Sequence, residues 1–414
     1  MIKLLHLADL HIGMENYGKV DPASGLHSRL VDYLDRLDEA IDFGLEERVD
    51  AVLIAGDIYK NRTPNPTHQR EFARRVGRLR KAGMPVLILT GNHDVSPAAG
   101  RAHAVEIFDT LAVEGVMIID RPRVEPIVTR SGTFQLIALP WVTRHNLLTR
   151  EDLRMSSFAE VEAMLMDRID RFLRTAAAQL DPQLPTVLMF HGTIAGATLG
   201  AERQILLGKD LVLPRSFVDL PGVDYVALGH IHKHQSLGEH PPIVYPGSIE
   251  RIDFGEELET KGCVLVELAK DATTWRFHPL AARPFLTIAV DVRAAPDPQA
   301  RAAQAIEWQA RAGALSGAVV RVKIEALPEQ VAAIRTEELR AHLEAAGVAV
   351  VAAVGVETER AARGRLGTAG AELLEGLTPR RAIELYLRQK TPALAEARIA
   401  ALLAAADELM AEGA

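Results

Sequence analysis

The chain has 414 residues, 48% of them hydrophobic and 25% charged, with a formal net charge of −8. That length predicts two to three domains with a sizeable core, and the composition excludes a disordered or fibrous chain. The acidic balance argues against wholesale nucleic-acid binding but leaves room for local basic patches.

In chain order, the runs 2–7 (IKLLHL), 51–56, 85–91, 134–140, 186–192 and 225–230 read as buried strands. The runs 243–248, 262–268 and 274–280 continue the sheets. Helical patterns over 28–47, 67–82, 101–113 and 157–180 fill the gaps, and strands separated by helices imply an α/β layered core. Near Arg283-Pro284 the character changes to a compact β-α-β-α-β pattern, with helices over 297–311 and 335–345. This pattern shows no clustering of histidines with carboxylates at ligand spacing, so 283–359 reads as a smaller α/β cap domain after a first domain of 1–282. A Gly- and Arg-containing linker, 360–370, precedes a helical segment over 371–414. Its two helices begin at Thr378-Pro379 and Thr391-Pro392, and Ile399, Leu402, Leu403, Ala406 and Met410 form an apolar stripe on the second.

Cys263 is the single cysteine, which excludes an intramolecular disulfide framework and a cysteine-based zinc cluster, and it fits a reducing, cytoplasmic compartment. The N-terminal stretch 1–13 carries His6 and Asp9 where a signal peptide needs an apolar core, and no run reaches the roughly 20 apolar residues of a membrane helix.

The chemistry-bearing residues gather at strand ends. Asp9 and His11 follow the first strand, Asp57 the second, and Asn92, His93 and Asp94 the third, while His191, His230 and His232 follow two later ones. Ligand sites in α/β sheets form beyond the carboxyl ends of the strands. Each element alone reads as a turn, a helix cap or a hydrogen-bonded core histidine. Together they read as a metal site, because ionisable groups are rarely buried unless paired or metal-bound. A set of oxygen and nitrogen ligands this large suits two divalent cations, with Asp57 the candidate for a bridging carboxylate. Ligation without thiolate suits Mn²⁺ or Fe²⁺ and admits Mg²⁺ or Zn²⁺.

The series ADLH, GD, GNHD, H and GHIH resembles the five motifs of the calcineurin-like metallophosphoesterases, and the whole layout resembles their SbcD nuclease subunits and Mre-type relatives. The resemblance covers the first domain through YPGSIERIDFGEE (245–257), and the cap and tail by arrangement. It implies a metallophosphoesterase β-sandwich flanked by helices. It implies that Asp9, His11, Asp57 and His232 hold one metal and Asp57, Asn92, His191 and His230 the other. His93 would be unligated beside the scissile phosphate, with Asp94 orienting its ring. It also implies a Mn²⁺-dependent nuclease acting 3′-to-5′ on duplex DNA ends and as an endonuclease on single strands or hairpins, a homodimer, a DNA-binding cap, and C-terminal helices that dock on an SMC-like ATPase, SbcC, the alternative for those helices being a hairpin packed on its own domain. Some relatives carry a histidine three residues after the bridging aspartate, where this chain has Lys60.

Three further stretches carry expectations. Residues 61–70 and the helix after them, with Arg70, Arg74, Arg78 and Lys81 on one face, are either a DNA-backbone rim or a solvated crossover helix. The loop 193–211 either shapes the DNA entrance or is a plain connection, and His234 reads as a surface residue. Two other readings compete with a nuclease. A stand-alone small-molecule phosphodiesterase would not need the cap and tail, and a non-catalytic scaffold would not need the full ligand set.

Overall fold

The computed structural model describes residues 1–95, 102–142, 158–200, 210–358 and 396–412, with Arg380, Glu384 and Leu387 of the preceding segment. Two six-stranded sheets face each other. The first runs β14 (Thr274–Pro279), β13 (Gly262–Leu268), β1 (Ile2–Leu7), β2 (Ala51–Ile54), β3 (Val86–Leu89) and β4 (Val116–Ile119). The second runs β11 (Gln235–Glu239), β12 (Pro242–Tyr245), β10 (Tyr225–Gly229), β7 (Thr186–His191), β6 (Gly132–Leu139) and β5 (Arg123–Thr129). Strands β1 to β4 are parallel to one another, as are β12, β10, β7 and β6, so each set delivers its carboxyl ends to one edge.

Strand alternation builds three apolar layers from these runs. Leu4, Leu53, Leu87, Leu136, Val187 and Ala227 point between the sheets. Leu5, Val52 and Val86 point outward, against helices α1 (Ser28–Glu46) and α2 (Pro66–Lys81). Ile137, Leu188 and Val226 point outward on the other side, under a long helix, α4 (Phe158–Ala178), whose Ile169 and Leu173 complete that layer. Burial on both faces explains why the central strands read as continuous apolar runs. Each fully buried Leu, Ile or Val contributes about 1.5–3 kcal/mol.

Strands β4, β5 and β11 escaped the sequence reading because each is short or half-exposed. The helix expected over 101–113 shrinks to a short α3 (Glu106–Thr110), after which Ala112 adopts a positive φ of 46° that ends it. Helix α2 begins one residue before its expected start, with Asn65 capping His68 N at 3.0 Å and Pro66 in the first turn.

After β14 comes a parallel three-stranded sheet, β15 (Phe285–Asp291), β16 (Val319–Ala326) and β17 (Val350–Thr358), packed on α5 (Pro298–Arg311) and α6 (Thr336–Ala345) around its own core. Its seam with the sandwich is polar and aromatic. Arg283 pairs with Asp32, which also pairs with the buried Arg29, and Phe254 meets Phe285 edge-on at 5.0 Å. The last helix, α7 (Glu396–Glu412), buries Ile399 and Leu403 with Leu387. Its apolar stripe therefore has a partner within the tail itself. The two Thr-Pro starts, the 360–370 linker and Met410's side chain lie outside the described residues. Among the described residues, no helix is long and apolar enough to cross a membrane.

His6 ties the two sheets together. Its Nε2–H donates to the Leu228 carbonyl at 3.1 Å, and Nδ1 accepts from the Tyr225 hydroxyl at 2.9 Å. Burial lowers its pKa from 6.5 to about 3. The unfolded ring takes up a proton near its ordinary pKa and the folded ring refuses it, so this contribution is complete above about pH 6.5 and fades as the pH falls toward 3. At pH 4.5 the loss is about 3 kcal/mol. Urea unfolding at pH 7 and pH 4.5 should show a fall in stability that is smaller in His6→Gln by about that amount; an equal fall in both proteins would rule out His6 as its source.

Candidate metal centre

The centre forms where the two sheets present their carboxyl ends together. After β1 and β2 the chains stay zipped, with Asp9 N donating to Gly56 O at 3.1 Å and His11 N to Asp57 O at 3.1 Å. On the other sheet His191 and Gly229 pair in register, which sets His230 beside His191. Four of the residues involved take positive φ: Asp9 (51°), His11 (42°), Asp57 (53°) and His230 (101°). Such backbone costs free energy in non-glycine residues and collects at functional sites.

Two glycines allow the close approach. A Cβ on Gly91 would lie 2.1 Å from Asp57 Oδ1 and 2.5 Å from its backbone nitrogen. A Cβ on Gly229 would lie 1.9 Å from the Ala55 carbonyl oxygen.

All seven expected ligands converge. Asp9, His11 and His232 form one cluster of facing ligand atoms, and Asp57, His191 and His230 form another. The Asp57 carboxylate lies between them: Oδ1 is 3.5 Å from His191 Nε2, and Oδ2 is 3.8 Å from His11 Nε2. Asn92 joins the second group, its Oδ1 3.1 Å from His191 Nε2 and 3.0 Å from His230 Nδ1. Asp9 also accepts from His230 N at 3.0 Å, tying the two groups through the backbone.

The donor chemistry fits cations. His191 Nδ1–H donates to the Ala55 carbonyl at 2.6 Å, so a neutral His191 turns its Nε2 lone pair toward the amide oxygen of Asn92. His11 Nε2 and His232 Nε2 face each other at 3.0 Å, and His11 Nδ1 is buried without a hydrogen-bond partner. Lone pairs crowded this way demand positive charge between them. Burial opposes charging His191, yet the Asp57 carboxylate lifts its pKa to about 9. Burial also opposes an ionised Asp57, but His191, His93 and His11 hold its carboxyl far below the usual range. Burial and then the His232 charge keep His11 well below the ordinary histidine value. Nitrogen and oxygen donors without thiolate suit Mn²⁺, Fe²⁺, Zn²⁺ or Mg²⁺.

His93 stands at the mouth, its side chain 43% exposed and its Nε2 4.0 Å from Asp57 Oδ2. With His11 and Asp57 it forms a third group of facing ligand atoms. The expected role of Asp94 is corrected. His93 Nδ1 is held by the Lys60 carbonyl at 2.7 Å, whereas the buried Asp94 carboxylate accepts from the backbone N–H groups of Ile58, Tyr59 and Gly91. Asp94 therefore shapes the Asp57 loop, and the backbone at Lys60 orients the ring. Burial and the neighbouring Asp57 charge raise Asp94 to about 7.

Several residues near the centre were not foreseen. Glu256 and Asp210 contact the GHIH histidines, and the Trp141 ring lies 5.1 Å from that of His230. Only their proximity to the motifs in sequence could have flagged Glu256; Asp210 and Trp141 carry no spacing signal. His234 is no plain surface residue: it stacks on Phe277 at 4.0 Å and bonds the Tyr245 carbonyl at 2.8 Å. Of the expected α2 face, Arg78 pairs with Asp42 of α1, whereas Arg70 and Arg74 pair with Glu71 of their own helix and stay 55% and 64% exposed. Part of the 193–211 loop, residues 201–209, lies outside the described residues.

The model of the calcineurin-like phosphoesterase family matches residues 2–234. The chain is 31% identical to the SbcD subunit of the SbcCD nuclease from Rhodobacter capsulatus, covering 66% of this chain and 67% of that one. It is 27% identical to the corresponding SbcCD nuclease subunit from Escherichia coli K12, over 64% of each chain. The DNA double-strand break repair protein Mre11 of Aeropyrum pernix is 29% identical, over 70% of this chain and 64% of that protein. The match thus spans about two thirds of these relatives' length.

The glycine contacts predict a contrast. Gly229→Ala should destabilise the fold by about 3 kcal/mol, because backbone must move to admit the methyl group. Gly77→Ala, in the interior of α2 with nothing within 4 Å, should stabilise it by about 0.5–1 kcal/mol. Thermal unfolding of the two variants decides, and equal melting temperatures would contradict the close-approach argument.

Proposed function

Because the chain belongs to the calcineurin-like phosphoesterase family and, within it, to the SbcD-like nuclease subunits, we propose that it is a two-metal DNA nuclease. It acts as a 3′-to-5′ exonuclease on duplex ends and as an endonuclease on single-stranded or hairpin DNA, in double-strand-break repair. The observation that carries this reading is Asp57, a buried carboxylate whose two oxygens face two separate clusters of imidazoles. Asp9, His11, Asp57 and His232 would hold one cation, and Asp57, Asn92, His191 and His230 the other. Mn²⁺ is the ion proposed.

Cations held there would supply the charge that polarises a phosphodiester and eases deprotonation of the attacking water. The rest falls to the chain. The Lys60 carbonyl accepts the Nδ1 proton of His93, and when the ring is cationic its Nε2–H stabilises the pentavalent phosphate or passes its proton to the leaving 3′ oxygen, leaving a neutral ring. Asp94 keeps the Asp57 loop in place through three backbone N–H groups. Arg62, exposed at the rim and 3.5 Å from the Asn92 carbonyl, is placed to meet a backbone phosphate.

The division proposed is a nuclease domain (1–282), a DNA-binding cap (283–359), a linker (360–370) and a helical segment (371–414) that docks on an SMC-like ATPase of the SbcC type. The independent core of the 285–358 sheet supports the boundary between the nuclease domain and the cap. A homodimer in the cytoplasm completes the reading.

Digestion of an end-labelled linear duplex by the purified chain with Mn²⁺ tests the proposal. His93→Ala should lose about 10²–10⁴ in rate, the range of positioned proton transfer, while binding the same number of Mn²⁺ ions. Loss of a bound ion in that variant would move His93 into the ligand set. Turnover of a small phosphodiester with every DNA end left intact would favour a stand-alone phosphodiesterase instead.

A further inference from the structure

The two histidines of GHIH turn opposite nitrogens toward the centre. His230 presents Nδ1, 3.0 Å from Asn92 Oδ1, and His232 presents Nε2, 3.0 Å from His11 Nε2. The two rings therefore reach different positions of the centre, one through its near ring nitrogen and the other through its far one. A neutral imidazole offers a lone pair from only one nitrogen, and the hydrogen bond at the other nitrogen decides which.

Each ring meets a buried carboxylate on its outer nitrogen. Asp210 Oδ2 lies 3.0 Å from His230 Nε2, with the two side chains only 6% and 3% exposed. Glu256 Oε1 lies 2.8 Å from His232 Nδ1, with the Glu256 side chain 1% exposed. Glu256 is anchored in turn by Lys261 Nζ at 2.8 Å and by Ile252 N at 2.9 Å. Asp210 is anchored by the Thr193 hydroxyl. An ionised carboxylate only accepts, so each ring nitrogen facing one must carry the proton.

We propose that Asp210 and Glu256 are positioning residues of the centre, Asp210 committing His230 to bind through Nδ1 and Glu256 committing His232 to bind through Nε2. This rests on the two-metal reading of the site. It gives two stretches outside the phosphoesterase motifs a part in the chemistry. Asp210 stands at the end of the loop between β7 and β10. Glu256 precedes Glu257, whose carboxylate accepts from Thr287 N of β15 at 2.7 Å. One His232 contact is therefore a single residue away from the sheet that follows the sandwich.

The test separates the rings from the metal. In metal-free, ¹⁵N-histidine-labelled protein near pH 8, two-bond proton–nitrogen correlations should show His230 as the Nε2–H tautomer and His232 as the Nδ1–H tautomer. His230→Ala and His232→Ala assign the signals among the 14 histidines. Asp210→Ala should disturb only His230, and Glu256→Ala only His232. Asp210→Asn and Glu256→Gln, whose amide oxygens still accept, should restore the tautomers. The wild-type spectrum alone overturns the proposal if either ring is in the opposite tautomer or an even mixture.

Calorimetric titration with Mn²⁺ supplies the second readout. Each alanine variant should weaken one of two sites by about 10–100-fold, the usual effect of losing such a partner. Asp210→Ala should add nothing to His230→Ala yet act in full on His232→Ala. Unchanged affinities at both sites in both variants would also overturn the proposal. Wild-type protein with the stated tautomers but no Mn²⁺ binding would instead remove the two-metal function and leave the assignment of the rings standing.

Discussion

The structure depends on one unfavourable placement: the Asp57 carboxylate, buried at the meeting edge of two sheets and exposed by about 1%. An isolated buried carboxylate would cost several kcal/mol or neutralise itself. Asp57 does neither, because imidazoles lie on both sides of it and His93 N donates to its Oδ1 at 2.8 Å. The response spreads outward: His191 rises to about 9, and Asp94, which feels burial and the same negative charge, rises to about 7. The negative charge at the sheet edge thus calls for positive charge next to it, supplied by protons or by cations.

That placement also dictates the backbone. Bringing Asp57 within reach of His191 and His11 requires the chain to turn sharply after each strand, hence the positive φ angles at Asp9, His11, Asp57 and His230. It requires residues without a Cβ where loops cross, hence Gly91 against Asp57 and Gly229 against Ala55. The glycines in AGD, TGN and GH are therefore steric permissions for the carboxylate and imidazoles beside them. The layered core supplies the rigidity that holds these strained turns in place, since strands buried on both faces leave no slack for the edge to relax.

Much of this was legible in the sequence because strands buried on both faces announce themselves as apolar runs, and because polar residues at their ends stand out against those runs. Asp9, His11, Asp57, Asn92, His191, His230 and His232 are all found at one place, as their positions suggested. What could not be read was anything decided by contacts between distant segments. Neighbourhood in sequence suggested that Asp94 would orient His93, but the turn directs the Asp94 side chain back to the Asp57 loop and gives the ring to a backbone carbonyl. A backbone partner leaves no trace in residue identity. Arg78 of α2 likewise looked free until α1 placed Asp38 and Asp42 against it. Half-exposed β5, with its Pro126, carried too weak an alternation to be seen as a strand.

The seam between the sandwich and the 285–358 sheet is built on the same segment that reaches the metal centre. Within 250–257, Glu250 accepts from Arg283 N at 2.9 Å, Phe254 packs on Phe285, Glu256 bonds His232, and Glu257 bonds Thr287. Arg321 of β16 covers the Phe254 ring at 4.2 Å. A short stretch fastened this densely at both ends leaves little independent freedom to either. Any tilt of the second sheet must be absorbed within a few residues of Glu256, and those residues meet His232 before they meet solvent. The segment joining the two units thus has a structural role that bears on the centre, because the same eight residues hold the second sheet and one of the imidazoles.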